Sequence, residues 1–156
     1  MEAAELFEQA RKLRPLDYQS LVLLSRVHKG LGNHSESLDA AQRAVTIAEN
    51  VLELAPDETR ALYLTSTSLA QLGRTEEAIE WVERAIFIEP DDPSVLYNVA
   101  CFYAMAGDPE KSLDLLERAV ENGWGDRAWL ETDSDLESLR DIDRFKAILD
   151  RVDDLS

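Results

Sequence analysis

Apolar residues recur three and four positions apart in two neighbouring stretches of the chain, residues 61–92 and residues 95–126. The two stretches align without a gap when Gly73 is set over Gly107. Large residues then coincide with large ones and small with small: Leu62 with Leu96, Leu69 with Tyr103, Val82 with Leu116, Ser66 with Ala100, Ala78 with Ser112, and Ala85 with Ala119. Because this spacing places apolar side chains on one face of a helix, each stretch predicts two amphipathic helices joined by a short turn.

The residues at the turn support this interpretation. Gly73 and Gly107 can adopt the left-handed conformation that commonly ends a helix. Asp108 and Pro109 then predict a helix start, because an aspartate caps free amide groups and proline fits the first helical position. The sequence thus predicts a helix–turn–helix unit whose length equals the interval from Gly73 to Gly107. The small residues of this unit let its two helices approach closely.

The same pattern extends towards the N-terminus. Residues 21–45 fit the frame on Gly32, but the interval from Gly32 to Gly73 is longer than that from Gly73 to Gly107, by seven residues. Seven residues add about two helical turns, so residues 45–56 predict a lengthened second helix that keeps its apolar face in phase. Residues 3–15 resemble a second helix alone, so we expect the chain to begin in the middle of a repeat, as a fragment of a longer protein.

This pattern resembles the tetratricopeptide repeat, a helix–turn–helix of about 34 residues that stacks into a right-handed solenoid. Units counted from Tyr18, Thr59 and Pro93 match the family's frame of large and small residues. The departures are His28 in place of an aromatic residue, Thr65 in place of a large residue, and Trp124 in place of a proline. The resemblance covers roughly residues 1–124 and implies an all-α fold.

After Gly125 the repeat frame is lost. A fourth unit would place Asp133 and Glu137 at apolar positions, which a stacked helix does not tolerate. A last helix instead has four apolar residues on one face, namely Phe145, Ile148, Leu149 and Val152. Because a solenoid leaves its final apolar face open, this helix predicts a cap, with Trp129, Leu136 and Leu139 packed beneath it.

The predicted architecture is therefore a right-handed tetratricopeptide solenoid of about three repeats within a single domain, residues 1–156. Its predicted parts are the second helix of a preceding repeat at residues 1–15, a repeat with a lengthened second helix at 16–58, repeats at 59–92 and 93–124, and a C-terminal cap at 125–156. The tail also resembles one that follows such repeats in many bacterial proteins, some of which carry a nucleotidyl cyclase or Ser/Thr kinase module. That resemblance implies a bacterial origin.

The composition narrows the possible partners. Acidic residues outnumber basic ones 32 to 16, giving a net charge of −16. Nucleic acids and anionic membranes need a basic face, so neither is expected as a partner. No secretory signal or membrane-spanning run is visible, and the single cysteine fits a reducing compartment, so we expect a cytoplasmic protein. The acidity fits either a solvated acidic surface, as in a salt-rich cytoplasm, or a groove for a basic partner.

No clustered set of catalytic side chains is visible, so we expect a non-enzymatic protein without cofactor or metal. His28 and His34 lack a metal-type partner four residues away or a cysteine pair. Residues 133–137 lack the glycine and closing glutamate of a calcium loop, and they fit helix caps and turns better. Cys101 has no nearby histidine and is expected to be a small packed residue or to line the groove.

The resemblance places ligand contacts on the concave face, which the first helix of each repeat lines. The family's contact positions fall here on Gln19, Val22, Leu23, Arg26, Lys29 and Gly30, on Arg60, Tyr63, Leu64, Thr67, Ala70 and Gln71, and on Ser94, Tyr97, Asn98, Cys101, Ala104 and Met105. This set holds three cations and no acid, although acids are twice as frequent as bases in the chain. The candidate ligand-binding residues among them are Arg26, Lys29, Arg60, Tyr63, Thr67, Tyr97 and Asn98.

An extended peptide could stack on Tyr63 and Tyr97 and lay its backbone against Asn98, while Arg26 and Arg60 meet a carboxylate. The alternative is that Tyr97 and Asn98 only support the next repeat. The best-known carboxylate-gripping subset of the family uses lysine, arginine and asparagine at positions that here hold Val22, Arg26, Leu64, Ser94 and Asn98. That particular specificity is therefore not expected.

The leading functional prediction is a protein-interaction scaffold that binds a peptide or helix of a partner in its concave groove. A self-association module is one alternative, in which the apolar ends of a short array pair two copies. A second alternative is a regulatory C-terminal part of a larger bacterial signalling enzyme of the cyclase or kinase type.

Overall fold

The computed structural model describes residues 17–155, with side chains as far as Val152, and every regular element within that range is helical. The elements are α1 Tyr18–Gly30, α2 His34–Leu54, α3 Thr59–Gln71, α4 Thr75–Ile88, α5 Pro93–Ala106, α6 Pro109–Glu121, α7 Arg127–Thr132, a 3₁₀ segment Ser134–Leu139, and α8 Asp143–Leu155. The prediction of an all-helical chain of helix–turn–helix units is thus confirmed. The predicted half-repeat at residues 1–15 lies outside the described residues.

The chain divides into two compact units, unit 1 ending at Ala85 and unit 2 beginning at Ile86. In unit 1, α1 packs against α2 and α3, and α2 packs against α3. The turns after α1 and α3 contain Gly32 and Gly73, whose φ angles are 77° and 82°. A side chain is strained in this left-handed region, which explains glycine at both turns.

The small residues of unit 1 lie where its helices cross, as the repeat pattern predicts. Ser25 of α1 and Ser37 of α2 are each 1% exposed and donate to one another's backbone carbonyl oxygens at 2.8 Å. Gln71 of α3 adds a hydrogen bond from Nε2 to Ser37 Oγ at 2.6 Å. These bonds satisfy buried hydroxyl groups that would otherwise be costly, and they fix all three helices to one another.

Helix α2 has 21 residues, against 13 in α1 and α3. The added turns take part in the core of unit 1: the half-buried Val51 and Leu52 pack against a buried cluster of Tyr18, Ala48 and Ala61. The predicted lengthening therefore contributes apolar contacts to unit 1.

Unit 2 repeats the same local chemistry. Asp92 caps α5 by accepting from the Val95 amide at 2.9 Å, and Asp108 caps α6 by accepting from the Lys111 amide at 3.1 Å. Gly107 has a φ angle of 83°. Both the aspartate cap with its following proline and the left-handed glycine agree with the sequence prediction.

The C-terminal part of unit 2 covers α5 and α6. The 3₁₀ segment contacts α5, and α8 contacts α6 and α7. Buried apolar residues fill the space between them, namely Leu130, Leu136, Leu139, Phe145, Ile148 and Val152, each at most 1% exposed. The prediction of a packed Trp129 is wrong: its side chain is 56% exposed, because the buried position on α7 is taken by its neighbour Leu130.

One contact recurs with the repeat and was not predicted. Arg84 of α4 donates to the carbonyl oxygen of Pro56, and Arg118 of α6 donates to that of Pro90 at 2.6 Å. Each arginine lies 28 residues after its proline, so the second helix of a unit holds the loop that precedes the unit. Arg43 has the equivalent position one repeat earlier, and the equivalent carbonyl lies outside the described residues.

Candidate ligand-binding face

Helices α1 and α3 lie side by side in unit 1 and run in the same direction. Tyr18, the first residue of α1, is acted on electrostatically by Arg60 and Tyr63 near the start of α3. Burial, the main cause, raises the pKa of Tyr18. Near the opposite ends, Ser25 Oγ lies 3.3 Å from Gln71 Oε1. We call the twelve predicted contact positions on these two helices the α1–α3 face: Gln19, Val22, Leu23, Arg26, Lys29, Gly30, Arg60, Tyr63, Leu64, Thr67, Ala70 and Gln71.

The three predicted cations of this face, Arg26, Lys29 and Arg60, are all exposed. A hydrogen bond with Tyr63 raises the pKa of Arg60 above its ordinary value, so this side chain stays charged at any physiological pH. The charge of Glu58 acts in the same direction. None of the twelve positions carries an acid, although Glu58 lies close enough to act on Arg60.

The apolar part of the face is partly open. Leu23 is 43% exposed, while Leu64 and Thr67 are half-buried. The Thr67 hydroxyl has a weak hydrogen bond to the carbonyl oxygen of Leu64 at 3.4 Å. Tyr63 is only 8% exposed, so a ligand would reach little more than the edge of its ring.

Tyr97, another predicted contact residue, has a different environment in unit 2. Its ring is 3% exposed and stacks on Trp124, with centroids 4.1 Å apart and planes 5° apart. Its hydroxyl donates to Asp133 Oδ2. Burial, with Cys101 and Asp133 nearby, raises the pKa of Tyr97 well above the usual tyrosine range. The ring face that a peptide would need is therefore covered by the chain itself, which agrees with the alternative of a supporting role.

Asn98, the last predicted contact residue, is half-buried next to Tyr97. Its amide nitrogen donates to the carbonyl oxygen of Ser94 at 2.8 Å. A backbone-binding role for this amide would require that internal hydrogen bond to be exchanged for one to a ligand.

Sequence reasoning missed the two residues that cover Tyr97. Trp124 stands where the repeat pattern has a proline, and this departure was the one feature of the sequence that could have indicated a special role for it. Asp133 gave no comparable signal, since its contact with Tyr97 joins residues 36 positions apart across a segment without repeat frame.

Cys101, Asp133 and Asp135 form a further group with three potential metal ligands, whose nearest ligand atoms lie within 4.8 Å of one another. The Asp133 carboxylate is already engaged. It accepts from the Tyr97 hydroxyl, from Cys101 Sγ at 3.9 Å and from the Asp135 amide at 3.0 Å. A metal ion would have to displace these donors, so the arrangement fits a capped turn better than a metal centre.

No helix within residues 17–155 is long and apolar enough to cross a membrane.

Comparison with known proteins gives one sequence match and several structural ones. Residues 17–86 match the sequence model of the tetratricopeptide repeat. No curated protein matches the chain. The crystal structure of MamA is similar over 97% of this chain and 85% of its own, with a TM-score of 0.54 and 14% identity. The MamA fragment from residue 41 to the end, from Desulfovibrio magneticus RS-1, covers 99% of this chain and 82% of its own, with a TM-score of 0.53 and 19% identity.

At these identities the similarity to MamA shows a shared fold and nothing about ligands. The matched residues, 17–86, include all of α1, α2 and α3 and most of α4. The whole α1–α3 face therefore lies within the match. Tetratricopeptide repeats are protein-interaction scaffolds and are in general non-enzymatic. The chain thus has the all-helical fold of tetratricopeptide repeat proteins, and its residues 17–86 are tetratricopeptide repeats.

Proposed function

We propose that unit 1 binds a peptide segment of a partner protein along the α1–α3 face. The observation that carries this proposal is the composition of the face. Leu23 is exposed and Leu64 is half-buried, Arg26, Lys29 and Arg60 are exposed, and no acid stands at any of the twelve positions. In a chain with a net charge of −16, such a surface is suited to specific contact rather than to solubility alone.

The size of the face sets the strength of binding. Covering the exposed part of Leu23 contributes about 1 kcal/mol, and each exposed charge pair adds at most about 1 kcal/mol. These contributions sum to only a few kcal/mol even before the loss of ligand freedom is subtracted, so a short peptide is expected to bind weakly, with a Kd on the order of millimolar.

Photo-crosslinking tests the location of binding. A photoreactive phenylalanine analogue is placed at Leu23 of α1 or, as a control, at Leu38 of α2. The two leucines are 43% and 44% exposed, so they differ in position and hardly in accessibility. We expect a partner, identified by mass spectrometry, to crosslink from position 23 and not from position 38, and the crosslink to be lost in an Arg60→Glu variant.

Equal crosslinking from both positions would refute binding at the α1–α3 face. A crosslink from position 23 to a second copy of this chain would instead establish self-association through the same face.

A further inference from the structure

The cations of the α1–α3 face form two groups. Arg60 lies at the start of α3, beside Tyr18 at the start of α1. Arg26 and Lys29 follow Tyr18 by eight and eleven residues, which places them about 12 and 16 Å further along the axis of α1. Residues three apart are neighbours on a helix surface, so Arg26 and Lys29 act as one positive site and Arg60 as the other.

An apolar site lies between the two positive ones. Leu23 follows Tyr18 by five residues, about 8 Å along α1, and it is three residues before Arg26. Its side chain is 43% exposed. The half-buried Leu64 lies on the neighbouring helix, one residue after Tyr63. Along α1 the face therefore reads positive, apolar, positive.

An extended peptide advances by about 3.3–3.6 Å per residue, so a distance of about 12–16 Å corresponds to about four or five residues. We infer that the ligand of the α1–α3 face is an acidic peptide segment with carboxylates four or five residues apart and an apolar residue between them. One carboxylate pairs with Arg60, the other with Arg26 and Lys29, and the apolar side chain covers Leu23. This inference rests on the proposed function and adds the chemistry of the ligand to it.

The charge of the whole chain opposes an acidic ligand, so the local and global effects must be weighed. Screening limits charge interactions to about 8 Å at physiological ionic strength. A carboxylate in contact with an arginine lies well inside this distance, so its attraction to that arginine is screened little. Glu58 acts on Arg60 directly, so it is the nearby acid whose removal should help the ligand.

Fluorescence anisotropy with the full chain and designed peptides tests the inference. The probe is a labelled ten-residue peptide with a central leucine and glutamates four residues apart; comparison peptides carry glutamine at those positions, or glutamates two residues apart. We expect the first peptide to bind at least about fivefold more tightly than either comparison peptide, since two charge pairs are gained.

Three variants localise the effect. Arg60→Gln should weaken binding of the glutamate peptide about fivefold and leave the glutamine peptide unchanged. Glu58→Gln should tighten it, and helix α3 should be unaffected because Glu58 makes no side-chain cap hydrogen bond. Arg43→Gln is the matched control: Arg43 lies on α2, its side chain is 40% exposed, and its loss should change nothing.

Equal affinity for the glutamate and glutamine peptides would overturn the acidic ligand, as would an equal effect of Arg43→Gln and Arg60→Gln. If crosslinking from position 23 succeeds while charge has no influence, the proposed function stands and this inference fails. If crosslinking also fails, both are wrong.

Discussion

At the scale of single residues, two tyrosines at equivalent repeat positions have different tasks. Tyr63 and Tyr97 are one repeat apart, and each lies on the first helix of its repeat. Tyr63 bonds with Arg60 beside a surface, whereas Tyr97 is stacked on Trp124 and bonded to Asp133. Position in the repeat therefore fixes where such a side chain lies, and the neighbouring segment decides what it does.

The role of Tyr97 gives a prediction with a pH dependence. Tyr97→Phe keeps the ring stack and removes the hydrogen bond to a carboxylate, so we expect a loss of about 1–3 kcal/mol in the free energy of unfolding at pH 7. The folded pKa of Tyr97 is raised above 10.0, so its protonated form stabilises the fold fully below pH 10 and this contribution is lost as pH rises further. Urea unfolding at pH 7, 9 and 10.5 measures both effects.

The wild-type chain should therefore lose stability above pH 10 more steeply than Tyr97→Phe, by up to about 1.4 kcal/mol per pH unit. Tyr63→Phe is the control, because its hydroxyl lies beside an exposed arginine and its loss should matter little. Parallel pH profiles for the wild type and Tyr97→Phe would contradict this account of Tyr97.

The positions of small residues at the helix crossings could be predicted from the sequence. The crossings recur at fixed positions of the repeat, and two closely packed helices leave room only for small side chains there. Ser66, Ala78, Ala100 and Ser112 are all 0% exposed, as expected. The exposure of Trp129 could not be predicted, because outside the repeat frame nothing distinguishes it from the adjacent Leu130 as the buried residue of a short helix. For the same reason the covering of Tyr97 was missed.

At the scale of whole elements, the length of α2 can be tested by deletion. Removing residues 49–55 restores the spacing between Ala44 and Pro56 to that between Ala85 and Pro90. Because seven residues are about two turns, the chain would leave the shortened helix on the same side. We expect a folded, helical variant that is roughly 2–4 kcal/mol less stable, since Val51 and Leu52 lose their packing. Circular dichroism and urea unfolding provide the measurement.

A shorter deletion is the control for this experiment. Removing residues 49–53 deletes less of the chain but turns the exit of α2 by about 140° away from α3. It should therefore be more damaging than the longer deletion. The reverse order of stabilities would show that the repeat frame does not govern α2.

Two arginines of the last helix, α8, pair with acids of α6. Arg151 Nη2 donates to Glu121 Oε1 at 2.8 Å, and Arg144 makes the larger contact. Arg144 binds Glu117 through Nε and Nη2, both at 2.8 Å, and reaches Asp114 at 2.5 Å and Glu110 at 3.2 Å. These side chains are at least one-third exposed apart from Glu117, at 31%. We therefore expect Arg144→Gln to reduce stability by no more than about 1 kcal/mol. It should nevertheless speed hydrogen exchange of the α8 amides, because the contact orders that helix.

The pH dependence of this contact has the opposite sign to that of Tyr97. Its hydrogen bonds with Arg144 lower the pKa of Glu117 below 4.5, so the contact stabilises the fold above that pH and is lost as pH falls through the lowered pKa. The difference between wild type and Arg144→Gln should shrink from pH 6 to pH 3. Lys146→Gln is the matched control, since Lys146 pairs with Asp143 of its own helix; an equal effect of both variants would refute an interhelical role for Arg144.

At the scale of the whole molecule, the periodicity of the sequence was sufficient to predict the helical repeat fold. It was not sufficient to predict that the chain divides into two compact units. Each helix buries an apolar face against its neighbours, and every repeat therefore needs apolar residues at the same positions. The boundary between units 1 and 2 falls after Ala85, inside α4. Nothing in the pattern marks this place, because the apolar spacing of α4 continues across it. The proposed binding face lies within unit 1, where helices α1 and α3 of the regular frame lie side by side.

The net charge of −16 sets the response of the folded chain to salt. Exposed ion pairs such as Arg144 with Glu110 weaken when salt is added, but each contributes little. Repulsion among an excess of sixteen acids acts over about 30 Å at 0.01 M salt and about 10 Å at 0.1 M, so adding salt relieves more repulsion than attraction. We expect Tm to rise by a few degrees between about 0.02 and 0.5 M sodium chloride. Potassium fluoride should act alike if screening is the cause, and a falling Tm in both salts would show that the ion pairs outweigh the repulsion.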